Sequence, residues 1–410
     1  MTAPADLIRE PDWLVARRER AAGLSETLPL PGPKSAGWEF TDLTELDVDG
    51  YAPAAVGDVA DLDEAEGLFR GLQASPAGSL PDGVLVMPLA EAVRDHPDVV
   101  EAHLGSVVGA EDPFIARNEA QWRDGLLVYV PRGTRLEAPV LVNAVQATAG
   151  SSLYWRTLIV LEEGAEAEVW EQYLSSEDDL DALFNTVVEI SVGANARLRY
   201  VCGQGLSERS WVFGSQRAVV GQDGALDWVA LGFGSARGKV RMETNLAGQG
   251  AEAKVTGAYA GHGRQHLDFD TTQEHAAPNT TSDLAFRGLL DGRATAVWRG
   301  MIRVDPGAQR TDAFQESRNL LLSKRAHADA IPGLEIEAND VRCTHAAAIA
   351  QIDSEQLFYL QSHGLRRPEA TRLVIEGFMQ ALVERFAAGP VRDAVSGALE
   401  RRLEQVLGTA

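Results

Sequence analysis

The pattern of apolar and polar residues changes twice along the chain. Up to about residue 125 the pattern is mixed and mostly helical, from 126 to 352 apolar and polar residues alternate, and residues 353–410 return to helical spacing. Alternation with a period of two is typical of half-buried strands, whereas apolar residues three and four apart are typical of helices. We therefore predict a mostly helical region at 1–125, a β-core at 126–352 and a helical region at 353–410.

The strand-rich region repeats one local context, in which a turn glycine precedes an alternating strand. Within Glu166–Tyr173, for example, Ala167, Val169 and Glu171 share one face. A β-sandwich, the structural alternative, would show turns every 8–12 residues or so, whereas a longer period is typical of solenoid coils and favours a parallel β-helix. The glycines follow one another at spacings of 31, 29, 31, 26, 42 and 15 residues: Gly133, Gly164, Gly193, Gly224, Gly250, Gly292 and Gly307.

The N-terminal region contains four recognisable segments. Ala5–Ala22 is a candidate helix interrupted at Pro11, and Leu28–Phe40 is rich in proline and glycine. The acidic segment Val56–Glu66 is expected to be exposed. The apolar run Val84–Met87 follows an Asp-Gly turn and predicts a short strand.

The C-terminal region predicts three helices. Asp353 resembles a capping residue, Gly364 ends the first helix, Pro368 suits a first helical position, and Gly389-Pro390 separates the second helix from the third. The predicted apolar stripes are Leu373, Val374, Phe378, Ala381, Leu382 and Phe386 on the second helix, and Val391, Val395, Leu399, Leu403 and Val406 on the third. We expect this tail to cap the solenoid or to offer a groove or ridge to a partner.

Composition narrows the functional classes. The chain has 37 basic and 60 acidic residues, so its net charge is −23, which disfavours nucleic acid and anionic membranes as partners. The short basic clusters at 17–20 and 401–402 are expected to be solvated helix faces. No apolar run is long enough to span a membrane, and residues 1–13 do not resemble a secretory signal. Two cysteines cannot form a disulfide framework, so we expect a cytoplasmic protein.

One segment resembles a nucleotide-binding loop but fails its pattern. Gly234–Val240, "GSARGKV", has three residues between its glycines and valine after its lysine. A P-loop needs four residues there, serine or threonine after the lysine, and a following helix. We therefore expect no ATP binding by this chain alone.

A second segment places polar side chains on one strand face. His266, Asp268, Asp270 and Thr272 share one face of a strand, because successive side chains point to opposite faces. A histidine and two carboxylates could bind a metal or perform acid–base chemistry. The residues favour the alternative interpretation, in which these polar side chains form a row that faces solvent on the outside of a β-helix.

The two cysteines have different surroundings. Cys202 ends an apolar strand, where a free cysteine behaves as a small buried hydrophobe. Cys343 lies two residues before His345 in "DVRCTHAAAIAQID" (Asp340–Asp353), so in a strand both side chains point the same way. Thiolate and imidazole suit soft or borderline metals, but two ligands do not complete a zinc or iron–sulfur site. The residues alone slightly favour a structural role, unless a second chain supplies further ligands.

Four segments resemble a known family. Arg299–Leu365 closely resembles the C-terminal core of the SufB/SufD family, the scaffold subunits of SUF iron–sulfur cluster assembly. "GWEFTDL" (Gly37–Leu43), Asn118–Gly133 and His275–Gly288 are also similar to that family. The resemblance implies a right-handed parallel β-helix flanked by N-terminal and C-terminal helical regions.

Within the family, the chain is most similar to the SufD type. SufB-like chains read His-Glu-Ala-Thr where His345 to Ala348 read His-Ala-Ala-Ala, and they are usually longer and richer in cysteine. The SufD pattern usually reads Gly-Ala-Thr after that histidine, so the three alanines are a departure. A SufB-like primary scaffold is the alternative, and a β-helix enzyme acting on polyanionic carbohydrate is a weaker one.

The resemblance also implies partners and cargo. It implies a non-catalytic scaffold that pairs with a SufB-like chain through the β-helices and binds a SufC-like ABC ATPase through the C-terminal helices. His345 is implied to lie at that interface opposite a SufB cysteine, with Cys343 beside it, as a partial metal site. Iron or an iron–sulfur cluster is expected in the assembled complex, with nothing tightly bound to the isolated chain. Flavin is associated with the complex, and a homodimer is a further possibility.

Overall fold

The N-terminal region combines four helices with two short strands. The computed structural model describes residues 10–54, 67–70, 80–110 and 112–407. The predicted exposed segment Val56–Glu66 lies outside the described residues. The strand predicted at Val84–Met87 is confirmed, one residue later, and pairs antiparallel with the first solenoid strand. In chain order the elements are α1 Asp12–Thr27, β1 Ala52–Pro53, β2 Leu85–Pro88, α2 Leu89–Asp95, α3 Pro97–His103 and α4 Pro113–Gln121.

Helix α1 corrects one prediction. It begins directly after Pro11, as the interruption predicted, but it continues past Ala22 to Thr27. Gly23 does not end it, since a single glycine in a helix costs only about 1 kcal/mol. The segment before residue 10 lies outside the described part of the chain.

Two parallel sheets form the body of the protein, a β-solenoid of about eight turns. From β3 onward, odd-numbered strands form sheet A and even-numbered strands form sheet B, so each coil contributes one strand to each sheet, and β1 and β2 also join sheet A. The parallel register rules out the β-sandwich. In chain order the strands are β3 Asp124–Val130, β4 Val140–Gln146, β5 Ser151–Leu161, β6 Glu166–Ser175, β7 Leu183–Val192, β8 Arg197–Gly205, β9 Trp211–Val220, β10 Ala225–Gly232, β11 Arg237–Leu246, β12 Glu252–Gly261, β13 His266–His275, β14 Thr281–Leu290, β15 Thr295–Val304, β16 Thr311–Leu321, β17 His327–Ile336 and β18 Val341–Gln351.

The glycine repeat identified the coils but not every turn residue. Gly193 and Gly224 are not in the left-handed region, and the neighbouring Asn195 (φ 56°) and Asp223 (φ 52°) adopt it instead. Asparagine and aspartate tolerate this conformation better than most residues. In a later coil the same turn position holds Arg310 (φ 61°), so it accepts four residue types. Gly292 lies on the opposite edge of the solenoid, between β14 and β15. Mixing the two edges produced the irregular spacings of 42 and 15.

The interior of the solenoid is filled by columns of inward-facing side chains. In-register pairing stacks equivalent positions of successive coils, as in Val169, Tyr200 and Trp228 on β6, β8 and β10. All three are completely buried. The predicted inward face of β6 is confirmed, because Ala167, Val169 and Glu171 are all buried.

A buried ion network attaches α4 to sheet A. The guanidinium of Arg156 lies 2.7 Å from Glu119 and 2.5 Å from Glu189, and none of the three is more than 5% exposed. Glu189 also accepts hydrogen bonds from the backbone N–H groups of Gly105 and Val107. Burial disfavours the charged guanidinium, but the two carboxylates outweigh it and raise the pKa of Arg156.

The last two C-terminal helices lie against the outer face of sheet B rather than across the end of the solenoid. The three C-terminal helices are α5 Ser354–Ser362, α6 Arg367–Val383 and α7 Pro390–Leu407. Side chains of α6 and α7 pack with Trp170, Val201 and Val229 on that sheet. The prediction of a solenoid cap is therefore wrong.

The structure confirms one predicted apolar stripe and corrects the other. All five predicted residues of α7 are buried, and its start after Gly389 is confirmed. On α6, Leu373 is 49% exposed and Ala381 is also exposed. The helix is rotated so that a neighbouring stripe faces the sheet: Ala370, Ile375, Met379, Leu382 and Val383.

Candidate functional site

A segment of the N-terminal region, Gly37–Leu46, crosses the outer face of sheet A and is called the strap here. Trp38 is 5% exposed and stacks on Phe114 with ring centroids 5.4 Å apart. The ammonium group of Lys239 lies 5.7 Å from the Trp38 ring, within the range of a cation–π interaction. Through this packing, Trp38 of the "GWEFTDL" motif holds the strap against sheet A.

The strap covers the polar face of β13, which corrects a prediction. Asp268 is only 2% exposed and lies 2.9 Å from the ammonium group of Lys239. Thr41 donates its single hydroxyl proton to Asp268, so the Nε2–H of His266 donates to Thr41 across 3.0 Å. Asp268 is neither exposed to solvent nor open to a metal, because an ammonium group and a hydroxyl already bind its carboxylate, whereas the rest of the predicted face is half-buried. Burial lowers the pKa of His266.

A polar cluster lies inside the solenoid around Glu171. Its carboxylate accepts hydrogen bonds from Trp155, Thr157, Tyr173 and Tyr200, at 2.6–3.0 Å. Burial raises the pKa of Glu171, and the four hydrogen bonds act in the opposite direction. Because all four donors are hydrogen-bonded to Glu171, we assign the cluster a structural role in the interior of the solenoid.

Cys202 borders this cluster and is inert. It lies in register with Glu171 on the next strand and is 6% exposed. Burial raises the pKa of its thiol to about 12, so at neutral pH it is a thiol. The prediction of a buried small hydrophobe is confirmed.

The last coil, formed by β17 and β18, is open at the end of the solenoid. Each strand pairs with a preceding strand on one side only, within the described residues. Leu334, Ile336 and Ile349 occupy register positions that face the interior in earlier coils, yet they are 38%, 41% and 45% exposed. The end of the solenoid thus presents unpaired strand edges and part of its apolar interior.

Cys343 and His345 lie on this last coil. The strand predicted here is confirmed as β18, and the two residues are in register with the buried Ala313 and Gln315 of β16. They therefore point to the same side, about 6.6 Å apart along the strand. Cys343 is half-buried and packs near the cluster of Ile302 and Val304, whereas His345 is exposed.

The electrostatics keep Cys343 protonated in the free chain. Partial burial, and then the carboxylate of Asp312, raise the pKa of its thiol. A metal ion would displace that proton, since the thiolate is the ligand. Imidazole and thiolate fit half of a four-coordinate site for iron or zinc. Among the described residues, no group of three or more His, Cys, Asp or Glu is arranged to hold a metal.

A second exposed surface lies on the C-terminal helices. Phe358 and Tyr359 on α5 are 73% and 62% exposed, and Leu373 on α6 is 49% exposed. The ring of His363 contacts that of Tyr359 in a tilted arrangement, with ring centroids 4.4 Å apart. Phe378, which the sequence placed on the buried stripe, is half-buried beneath the guanidinium of Arg287.

Two further sequence predictions concern the segment that resembles a nucleotide-binding loop and the absence of a membrane-spanning helix. Gly234–Val240 runs into strand β11 rather than into a helix, so the geometry of a P-loop is lacking at this segment. Among the described helices, none is long and apolar enough to cross a membrane.

Fold and site define a class: β-solenoid proteins whose terminal coil is open and carries a cysteine and a histidine on one strand face. Residues 143–378 match the family described as SUF system FeS cluster assembly, SufBD core domain, and residues 67–142 match the SufBD protein N-terminal region. The iron–sulfur cluster assembly protein SufD of Bacillus subtilis (strain 168) is 30% identical over 417 residues, covering 97% of this chain and 95% of the relative. Iron–sulfur cluster assembly SufBD family proteins of Staphylococcus epidermidis (25% identical, 93% and 87% covered) and Staphylococcus haemolyticus (26%, 90% and 85%) are also similar.

The chain therefore belongs to the SufBD family of iron–sulfur cluster assembly proteins, and it is of the SufD type. The sequence-based assignment is confirmed. Sequence reasoning did not find the strap over sheet A or the exposed interior of the last coil. Trp38, an aromatic residue within a proline- and glycine-rich passage, was the available signal for the strap.

Proposed function

We propose that this chain is a non-catalytic scaffold subunit that pairs with a SufB-type chain through its last coil. The supporting observation is that the open coil carries Cys343 and His345 together with an uncovered interior at Leu334, Ile336 and Ile349. Open strand edges favour pairing with another chain, and exposed apolar side chains favour its retention.

Such a partner would also complete the metal site. The chain supplies one thiol and one imidazole, while zinc and iron–sulfur centres usually have four ligands. A chain that covers the last coil brings its own side chains to Cys343 and His345. The iron or cluster is the cargo of the assembly, which the subunit holds at the interface.

The C-terminal surface is the proposed contact for a SufC-type ATPase. Phe358, Tyr359 and Leu373 provide an exposed aromatic and aliphatic surface, and aromatic residues are enriched at interface hot spots. Helix α7 is unsuitable as the main contact because its apolar stripe is already buried against sheet B. Deleting residues 391–410 would therefore uncover the sheet in addition to affecting a partner.

Co-expression with a SufB-type and a SufC-type protein tests the proposal. We expect co-purification of the three chains, and we expect Ile349→Asp to remove the SufB-type chain while keeping the ATPase. Leu24→Asp on α1, 40% exposed, is the matched control and should change neither. Equal pairing by Ile349→Asp and wild type would contradict pairing through the last coil. Measurable ATP hydrolysis by the purified chain alone would contradict a non-catalytic subunit.

A further inference from the structure

Gln315 lies beneath the candidate site and connects three strands of the terminal coils. Its side chain is completely buried. Its Nε2 group donates to the carbonyl of Gly300 on β15 at 3.2 Å and to that of Gly333 on β17 at 3.0 Å. Its backbone pairs with His345 on β18. The residue thus ties sheet B to the last two strands of sheet A.

The orientation of the Gln315 amide is determined by these contacts. A flipped amide would place its oxygen against two carbonyl oxygens, so the nitrogen must face them. The Oε1 atom is consequently fixed on the other side, where it is buried and has no hydrogen-bond partner. A buried acceptor without a partner is costly and uncommon in folded proteins.

Gly300 leaves the space that this oxygen occupies. A Cβ atom at that position would lie 2.5 Å from Oε1 of Gln315 and 2.2 Å from the ring of Trp298. Any larger residue would therefore displace the amide.

His345 is the neighbour that can use this acceptor. The two residues are direct register partners, with backbones about 4.8 Å apart, and both occupy the inward-facing column. Within the described residues, the His345 side chain makes none of the hydrogen bonds found. A histidine that binds a metal through one ring nitrogen usually donates the other ring N–H to a carboxylate, carbonyl or water.

We propose that Gln315 is the positioning residue of His345, whose ring N–H donates to Gln315 Oε1 when the other ring nitrogen binds metal. Two carbonyls hold the amide, which in turn fixes the ring and its tautomer. This inference rests on the proposed function, because it concerns the metal-binding side chain of the same site.

The chain contains a matched control at the opposite end of the solenoid. Gln146 is 1% exposed, its Nε2 group donates to the carbonyls of Ser151 (3.0 Å) and Leu183 (3.2 Å), and its Oε1 atom also has no partner. Like Gln315, Gln146 is therefore a buried glutamine whose amide nitrogen is held by two carbonyls and whose amide oxygen has no partner. It lies far along the chain from His345. A purely structural role predicts equal effects of substituting either glutamine.

The test is Co²⁺ binding by the complex of this chain with a SufB-type chain, since the partner completes the site, followed by the thiolate-to-cobalt absorption. Cys343→Ser should remove part of this absorption, and the part that is lost is the band of Cys343. Gln315→Met should weaken Co²⁺ binding roughly 10- to 100-fold, the usual effect of removing an outer-sphere partner. Gln146→Met should leave binding unchanged at a similar loss of thermal stability. Gln315→Glu should be less stable than wild type but bind better than Gln315→Met, because it keeps an acceptor and loses the donors.

Wild-type affinity in Gln315→Met, or equal weakening in the two methionine variants, would overturn the positioning role while leaving the metal site intact. An absorption of the complex that is unchanged in Cys343→Ser, or no absorption band in the complex at all, would instead overturn the site itself and the inference with it.

Discussion

Thr41 Oγ1 lies 2.5 Å from Asp268 Oδ2, although 227 residues separate the two along the chain. The hydroxyl donates to a carboxylate that is 2% exposed and is otherwise bound by Lys239. The strap is thereby attached to sheet A at the point where the sequence suggested a solvent-exposed polar face.

Substituting Thr41 with valine should weaken this attachment. The change keeps the shape and removes one donor to a buried carboxylate, so we expect a loss of roughly 1–3 kcal/mol in the free energy of unfolding. Urea denaturation and hydrogen exchange of the strap measure the effect. Thr27→Val is the control, because Thr27 is exposed and bonds only to its own helix. Equal stability of both variants would mean that Thr41 is not a fixed anchor.

Arg156 should be far more costly to replace than an exposed arginine. Arg156→Met leaves the buried carboxylate of Glu189 without a cation and leaves Glu119 with Arg17 alone, which costs roughly 3–5 kcal/mol. Arg135→Met, with a side chain that is 66% exposed, should cost about 1 kcal/mol or less. Denaturant unfolding of both variants measures the difference. Similar losses would show that the network does not hold α4 to the sheet.

His275 should make the protein less stable in mild acid. Burial lowers its pKa to about 4, and its ring nitrogens lie 2.8 Å and 2.9 Å from hydroxyls of Thr280 and Ser282. The unfolded chain binds a proton near pH 6.5 and the folded chain does not. Stability from this residue is therefore present above pH 6.5 and is lost as the pH falls toward 4.

The loss assigned to His275 is about 2 kcal/mol at pH 5. Unfolding free energies at pH 7.5 and pH 5 should differ by about that much more in wild type than in His275→Gln. His327→Gln, with a side chain that is 66% exposed, controls for the substitution itself. The same pH dependence in wild type and His275→Gln would contradict a neutral buried imidazole.

The surface of α5 and α6 should govern binding of a SufC-type ATPase. Phe358→Glu and Leu373→Glu place charge on exposed apolar positions, so affinity should fall at least tenfold while the free energy of unfolding changes by less than about 0.5 kcal/mol. Val15→Glu, 37% exposed on α1, is the control. Calorimetric titration measures the affinities. Unchanged affinity in both folded variants would place the contact elsewhere.

Local sequence patterns predicted the solenoid because its constraints are local. A coil needs a residue that tolerates positive φ at each turn and alternating side chains between turns, and both signals are visible in the sequence. The signal could not separate the two edges of the solenoid, since Gly292 and Gly250 look alike in sequence but lie at opposite edges. Nor could it identify Asn195 and Asp223 as turn residues while glycines stood beside them.

Long-range packing explains the remaining differences. The burial of Asp268 depends on the strap more than 200 residues away, and the face of α6 that is buried depends on where sheet B lies. For the site, alternation correctly placed Cys343 and His345 on one side of a strand. The sequence also placed the end of the β-core at residue 352, directly after β18, but it could not reveal that the last coil is left open, because only the folded chain shows that α6 and α7 pack on sheet B instead.

The metal site at the last coil is tested most directly by the iron and sulfide content of complexes co-purified with SufB-type and SufC-type chains, compared at equal stoichiometry. His345→Ala should assemble normally and carry less iron and sulfide, because it removes a ligand from an exposed position. Cys343→Ser should have a milder effect. His327→Ala, an exposed histidine on the neighbouring strand, should match wild type. Normal assembly of His345→Ala with wild-type iron and sulfide would contradict a metal site completed at the last coil.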